Sequence, residues 1–393
     1  MLHAVLIVLS GLAIALSLAA SAYVLAAFIG IRGFRRLREG RRPPAGFPPM
    51  TVLKPVCGFD FELYQNLRSF CVQDYPEYQV IIGVLAADDP AVPVINKIIA
   101  ELAGRDIALV VDPTVHGTNL KVANLINMFP AVKHDIVVVA DSDMRVGPDY
   151  LATIAQDFLD PGVGAVTCLY RGVSRNGLLS QLACLHINEW FLPSVLVSGL
   201  LQEIRFCFGA TMAIRRAILE KAGGFRSLAS VLADDYMTGK FAHDQGYGVR
   251  LSPYVVDNIV HEPSFAALFN HELRWARTIR SLSPGGYRFL FLVNTISVAT
   301  IAFAINALTL GIGPVGLAVI ALALALRLGL HQVVSADLQV PSPAPFWMIP
   351  LRDAMSFVVW VASFLGREVQ WRHEQLLLRP DGRIVAIKGE ETI

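Results

Sequence analysis

The sequence predicts an α/β fold, a parallel, doubly wound sheet set between membrane helices. Three observations carry this. From 51 to about 170, short apolar runs with strand character alternate with longer helix-patterned segments, the signature of βαβ units. Apolar stretches long enough to span a bilayer flank that region on both sides. Aspartates recur where the predicted strands end, the edge at which such sheets bind ligands.

In chain order, "HAVLIVLSGLAIALSLAASAYVLAAFIGI" (3–31) has no acid or strong base over more than the ~20 residues a span needs. A cleaved signal peptide fits poorly, because the positive charge comes after the apolar run and the run is too long for an h-region. The basic arm Arg32, Arg35, Arg36, Arg38, Arg41 and Arg42 places the domain beyond it in the cytoplasm by the positive-inside rule, and suits anionic headgroups as well. "PPAGFPP" then makes a stiff, non-helical linker. "TVLKPV", "YQVIIGVLA", "DIALVVD" and "DIVVVADSD" read as strands. "ELYQNLRSFCVQ", "DDPAVPVINKIIAELAG" and "NLKVANLINMF" read as helices between them. Residues 171–285 are mixed, with a strand in "FCFGATMAIRR" and helices at "RAILEKAGGF", "ADDYMTGKFAHDQGY" and "FNHELRWARTIRSL". Residues 289–310 and 313–330 each fit a span and are joined tightly enough to require a hairpin. A third stretch, 346–366, holds Arg352 and Asp353, whose charges are costly at depth, so a re-entrant or interfacial segment is favoured there over a span. The expected layout is a transmembrane helix (1–31), a basic, proline-rich linker (32–50), a catalytic domain (51–285), C-terminal membrane segments (286–366) and a basic tail (367–393).

Composition agrees. The apolar share is 54% and the charged share 17% of 393 residues, shifted as membrane segments shift them. A net charge of +1 gives no basic field for nucleic acid. The five cysteines, Cys57, Cys71, Cys168, Cys184 and Cys207, show no metal-finger spacing and read as reduced thiols. The sequence has no G-x-S-x-G, H-E-x-x-H or Walker lysine loop, which removes the common hydrolase, zinc protease and P-loop readings.

The remaining chemistry lies in short motifs, each with two readings. Asp141 and Asp143 in "ADSDMRV" are either a strand-end turn or two oxygen donors for Mg2+ or Mn2+, whose other ligands would be phosphate oxygens and water. Asp88 and Asp89 before Pro90 are either a helix start or acceptors for the N3–H of a uracil ring. Lys121 and Asn124 stand on the first turns of a helix, where the lysine either meets solvent or reaches a phosphate. Asp234 and Asp235 are either a cap with its dipole partner or contain a general base, which would need a raised pKa. His271, Arg274 and Trp275 share one helix face, suited to a membrane surface or to holding diphosphate and acceptor.

The ordered set "DDP", "ADSDMRV", "ADDY" and "HELRW", with "LKP" and "LRSFCVQDYPEYQVIIGV" ahead of it, resembles the ceramide glucosyltransferase family from Leu53 to Arg277. That resemblance implies a Rossmann-like GT-A domain on the cytoplasmic side, a divalent cation (Mg2+ or Mn2+), a UDP-sugar donor and a membrane lipid acceptor, with inversion at the sugar. It implies that Asp89 meets the nucleotide and that Asp141 stands at the metal and diphosphate, with Asp143 completing the D-x-D. Asp235 would be the base, with Asp234 where the family commonly has glutamate. Arg274 and Trp275 match the motif's end, while His271 departs from the usual glutamine or arginine. Within the family the chain resembles most the bacterial hopanoid branch, which puts N-acetylglucosamine on bacteriohopanetetrol, and that would place it in a bacterial inner membrane. Glucose transfer to ceramide is the alternative. A lipid transporter or a non-catalytic nucleotide-sugar sensor are readings from other classes. The sequence leaves the oligomeric state open.

Overall fold

The computed structural model describes residues 2–40, 45–175, 177–371 and 374–387. Arg41, Arg42, Pro43, Pro44, Arg372 and Lys388 of the basic and linker segments lie outside the described residues. The chain forms two compact units. One comprises Met1–Arg36, Gly172–Gln202 and Glu262–Asp381; the other comprises Leu37–Arg171, Glu203–His261 and Gly382–Ile393.

The second unit is the α/β domain. Its strands are β1 (Met50–Pro55), β2 (Tyr78–Val84), β3 (Ile107–Val111), β4 (Ile136–Val139), β5 (Met144–Arg145), β6 (Val163–Ser174), β7 (Met212–Arg215) and β8 (Gly248–Val260). They form one sheet in the order β3-β2-β1-β4-β7-β6-β8-β5. The expected parallel pairing holds across β3, β2, β1 and β4. Beyond β4 the sheet is mixed, because β7 runs antiparallel to both β4 and β6, and β5 antiparallel to β8. Side chains alternate across the first four strands. Val52, Val80, Ile82 and Val138 fill one core, and Leu53, Ile81, Val137 and Val139 fill the other. With both faces covered, the strands need unbroken apolar runs. In register, the carboxyl ends of β1, β2 and β4 therefore open on one edge.

The first unit carries the apolar helices. Among the described residues three are long and apolar enough to cross a membrane: Ala4–Glu39, Gly177–Leu201 and Pro314–Asp337. The N-terminal helix does not stop at residue 31. It continues through Arg32, Arg35, Arg36 and Arg38, and Arg35 reaches Asp337 at 3.0 Å, so the first half of the expected linker is helical. Gly177–Leu201 is not among the spans expected from sequence, since its polar residues mask it there. Of the expected span 289–310, only Thr295–Leu310 is one continuous α-helix. Small side chains (Ala13, Ala299, Ala302, Ala323) with Val319 bring these helices close, as suits packing without a hydrophobic drive.

The stretch 346–366 forms the helix Met348–Ser363, and its two charges are buried and answered. Arg352 pairs bidentately with Glu272 at 2.6 and 2.7 Å. Asp353 accepts the N–H groups of Ile296 and Ser297 at 2.6 and 3.0 Å, capping the helix that begins at Thr295. The expected tail is also structured: Glu368–Trp371 and Glu374–Leu378 make an antiparallel hairpin in this unit. Ile384–Ala386 forms a further short strand.

Candidate active site

The site is built at the carboxyl edge of β1, β2 and β4. After β2, Asp88 is exposed and Asp89 half-buried. The Gly58 N–H donates to both Asp89 oxygens (3.1 and 2.9 Å) and the Ala91 N–H to Oδ1 (2.8 Å), so Asp89 ties the loop after β1 to the following helix start. After β4, the backbone turns through Asp141, Ser142 and Asp143. The buried Lys54 of β1 donates to the Asp141 carbonyl and lies 3.8 Å from the centre of the Phe70 ring. Ser142 donates to Asp60, and Asn258 Nδ2 donates to Asp143 Oδ2 at 2.8 Å. Three carboxylates, Asp60, Asp141 and Asp143, are thus crowded beside one buried amine.

The other half of the rim comes from two helices. Asn119 caps the helix Leu120–Met128 by accepting the Val122 N–H at 3.0 Å, and donates to the Val231 carbonyl at 2.7 Å. The Asn119 N–H also donates to the Ala229 carbonyl at 2.9 Å. These bonds fasten that helix to the loop preceding Asp234–Asp244. Lys121 consequently stands between two carboxylates, 2.7 Å from Asp141 Oδ1 and 2.9 Å from Asp234 Oδ2. The chain end supports this corner: Leu232 N–H donates to the Gly382 carbonyl at 3.1 Å, and Thr118 donates to the Ile384 carbonyl at 2.8 Å. Asp235 accepts the Tyr236 N–H at 2.8 Å. A Cβ on Gly209 would fall 2.6 Å from Asp141 Oδ2 and 3.8 Å from Asp235 Oδ2, so these carboxylates flank one point that only a glycine leaves open.

Asn124 lies elsewhere. It is buried and donates to the carbonyls of Val56 (3.3 Å) and Gly83 (2.7 Å), joining the ends of β1 and β2 beneath the rim. His271, Arg274 and Trp275 belong to the other unit, on the helix Phe265–Leu282. There His271 contacts Trp275 (ring centres 4.2 Å apart) and pairs with Glu262 at 3.0 Å, and the Arg274 guanidinium lies 5.6 Å from the Trp371 ring.

Burial and crowding shift the titrations. Burial, then the charge of Asp234, pushes Asp235 up to about 6, with Lys121 working against the rise. Burial, then Asp141 and Asp60, pushes Asp143 up to about 7. Burial lowers Lys54 to about 7 although Asp141 and Asp143 oppose it. For Lys121 burial also works downward, but Asp141 and Asp234 outweigh it and hold the ammonium above its ordinary value. A half-protonated carboxylate among like charges is what a hard cation would relieve, so Asp141 and Asp143 fit Mg2+ or Mn2+ as two oxygen donors. Among the described residues no group of three or more His, Cys, Asp or Glu is arranged to hold a metal. The remaining ligands would therefore be phosphate and water oxygens, as Mg2+ prefers. A carboxylate with pKa near 6 can take a proton at neutral pH.

Sequence reasoning missed Lys54, Asp60, Asn119, Gly209 and Asn258. Two carried a signal: a lysine inside the apolar strand "TVLKPV", and an asparagine directly before the helix "LKVANL". The others are brought in by the chain's return through β7 and β8 or by a loop, which no local pattern announces.

The mixed sheet, its acid-lined carboxyl edge and the apolar helices define a GT-A glycosyltransferase fold joined to membrane-type helices. Residues 12–384 match the family described as glycosyl transferase family 21, and the chain belongs to that family. Ceramide glucosyltransferase 3 of Caenorhabditis elegans is 21% identical over 361 residues, covering 90% of this chain and 78% of that protein. Ceramide glucosyltransferase 1 of the same organism is 22% identical over 250 residues, 63% of this chain and about half (53%) of the relative's length. Among solved structures, the mannosyltransferase PcManGT from Pyrobaculum calidifontis, in complex with GDP-Man and Mn2+, is similar in fold. Its TM-score is 0.51 at 20% identity, covering 90% of this chain and 99% of that one.

Proposed function

We propose that the chain moves a sugar from a UDP-sugar to the hydroxyl of a membrane lipid, with glucose and ceramide as the pair. The single observation that carries the reading is the rim itself. Asp235, with its pKa pushed up to about 6, lies beside Lys121 and Asp141 at the carboxyl edge of the sheet. The family relatives weigh the acceptor toward ceramide and away from bacteriohopanetetrol, for which no diagnostic residue speaks.

In this reading Asp235 accepts the proton of the acceptor hydroxyl, and attack from the face opposite the leaving group inverts the sugar. Asp141 and Asp143 hold the divalent cation, which when bound supplies positive charge to a departing diphosphate. Lys121 keeps Asp141 and Asp234 in place. Asp89 fixes the loop that meets the uracil, and its Oδ2, which accepts only the Gly58 N–H, keeps a lone pair for the ring N3–H. Asp88 is exposed beside it. For the diphosphate and acceptor roles of Arg274, Trp275 and His271 the support is the motif alone. Arginines after the first span support a cytoplasmic catalytic domain.

The test is transfer by purified protein in bilayers holding ceramide or bacteriohopanetetrol, with UDP-glucose or UDP-N-acetylglucosamine, the product identified by mass. Glucosylceramide is expected. Asp235→Asn should abolish product while UDP-sugar still binds; product formed by the variant at the wild-type rate would overturn the assignment of the base.

A further inference from the structure

Between the 3-10 turn Phe225–Leu228 and the helix Asp234–Asp244 the chain forms neither a helix nor a strand of the sheet. The backbone leading into Asp234 and Asp235 must therefore find its hydrogen bonds in other segments. One such segment precedes the Lys121 helix. Asn119 donates to the Ala229 carbonyl from its N–H (2.9 Å) and to the Val231 carbonyl from Nδ2 (2.7 Å). The approach is close: a Cβ on Gly117 would fall 2.3 Å from the Ala229 carbonyl oxygen.

The second segment is the chain end. Ile384 N–H donates to the Ser230 carbonyl at 2.9 Å, Leu232 N–H donates to the Gly382 carbonyl at 3.1 Å, and Val231 bridges Arg383 antiparallel. Gly382 presents that carbonyl with φ at 80°, a conformation that suits glycine. Ile384 is buried, and its own carbonyl accepts the Thr118 hydroxyl at 2.8 Å, which ties the chain end to the first segment as well. Without Gly382–Ala386, the Ser230 carbonyl and the N–H of the buried Leu232 would lose these partners. Neither core of the sheet draws a described residue from this segment. The Lys121–Asp234 pair, at 2.9 Å, joins the same two stretches of chain a few residues further along each.

We propose that Gly382–Ala386 is a positioning element for the transfer: it fixes the loop Ala229–Leu232, and through it holds Asp234 against Lys121 and Asp235 in its place beside them. The positioning role rests on Asp235 as the base of the proposed transfer; the fastening of the loop does not.

Two full-length variants test this. Ile384→Pro removes the N–H given to Ser230, and Thr118→Val removes the hydroxyl given to Ile384 with little change of shape. Amide hydrogen exchange over 229–236 should quicken about tenfold in each, with β1 and β4 unchanged. In transfer assays well below the unfolding temperature, kcat should fall about fivefold or more, as a displaced base requires. The KM for UDP-sugar should stay within about twofold, because Asp89 and Asp141 stand on other loops. In a Lys121→Met background the Thr118→Val loss should shrink to less than about twofold, since both substitutions loosen one pair. A contact that served stability alone would give losses that multiply. Thr118→Val suffices if Ile384→Pro fails to fold. Wild-type exchange over 229–236 in Thr118→Val would overturn the fastening. Quicker exchange with kcat unchanged, or an equal loss in both backgrounds, would overturn the positioning role and leave the transfer reading intact. No product from the wild-type protein, with exchange still quickened in the variants, supports the fastening and removes the transfer reading alone.

Discussion

Replacing Lys121 by methionine removes one ammonium from between Asp141 and Asp234, at 2.7 and 2.9 Å, while keeping most of the side chain's bulk. Removing one partner of a largely buried ion pair costs about 3–5 kcal/mol, and Asp141 is a third exposed, so the lower end applies. The loss comes to about 3 kcal/mol. At about 2–4 °C per kcal/mol for a domain of this size, Tm should fall by about 6–12 °C. The kinetic effect arises from the same charge. Lys121 holds Asp235 down against burial and Asp234, which leave it at about 6. An opposite charge nearby is worth about one unit or more, so the substitution should carry Asp235 to about 7 or beyond. A base works ionised, so transfer falls as pH drops through its pKa. The acid limb of kcat/KM should stand near pH 6 in the wild type and about one unit higher in the variant. At pH 6.5 the ionised fraction would fall about threefold. The assay is glycolipid formation between pH 5 and 8, beside thermal unfolding. An acid limb that stays in place while activity collapses would refute the argument, since Lys121 would then act on substrate alone.

Asp143→Asn keeps an oxygen for Asn258 but removes a cation donor, so the Mn2+ or Mg2+ concentration supporting UDP binding should rise about tenfold, read by calorimetric titration. Gly209→Ala drives a methyl to 2.6 Å from Asp141 Oδ2; kcat should fall well beyond what a destabilisation of about 1–3 kcal/mol explains, measured by transfer and unfolding together. Glu272→Gln leaves the buried Arg352 charge unanswered at a cost of about 3–5 kcal/mol. The double change Glu272→Met with Arg352→Met should recover much of it in thermal scans.

The α/β half was readable because both faces of β1, β2 and β4 are covered, which forces apolar runs that alternate with helices. The turn of the sheet to mixed pairing was not. The β4–β7 pairing joins Ile136 to Arg215 across nearly eighty residues, a contact set by the whole domain. Arg352 and Asp353 made 346–366 costly at depth on sequence alone, since sequence shows a charge but not its partner. Glu272 and the bare N–H groups of Ile296 and Ser297 lie far off in the chain. Gly177–Leu201 escaped for a related reason, its His, Asn and Glu diluting the apolar signal. Of the candidate site residues, Asp141, Asp234 and Lys121 meet directly. Asn124, expected with Lys121 to bind substrate from the first turns of its helix, points inward instead, because that helix covers the ends of β1 and β2.

The arithmetic of charge around the rim bears on how a donor enters it. Asp60, Asp141, Asp143, Asp234 and Asp235 all act on one another or on the two lysines among them. One of those lysines, Lys54, is only partly charged at neutral pH, because burial lowers it to about 7. The edge therefore carries an excess of negative charge even after Asp143 is half protonated. A bare nucleotide diphosphate would meet repulsion there, whereas one that arrives with a divalent cation brings the charge that Asp141 and Asp143 lack. The same excess keeps Asp235 basic, since every uncompensated neighbour raises its pKa. In the proposed transfer, affinity for the cation-bearing donor and the strength of Asp235 as a base would thus draw on one arrangement of carboxylates, with Lys121 limiting how far each can go.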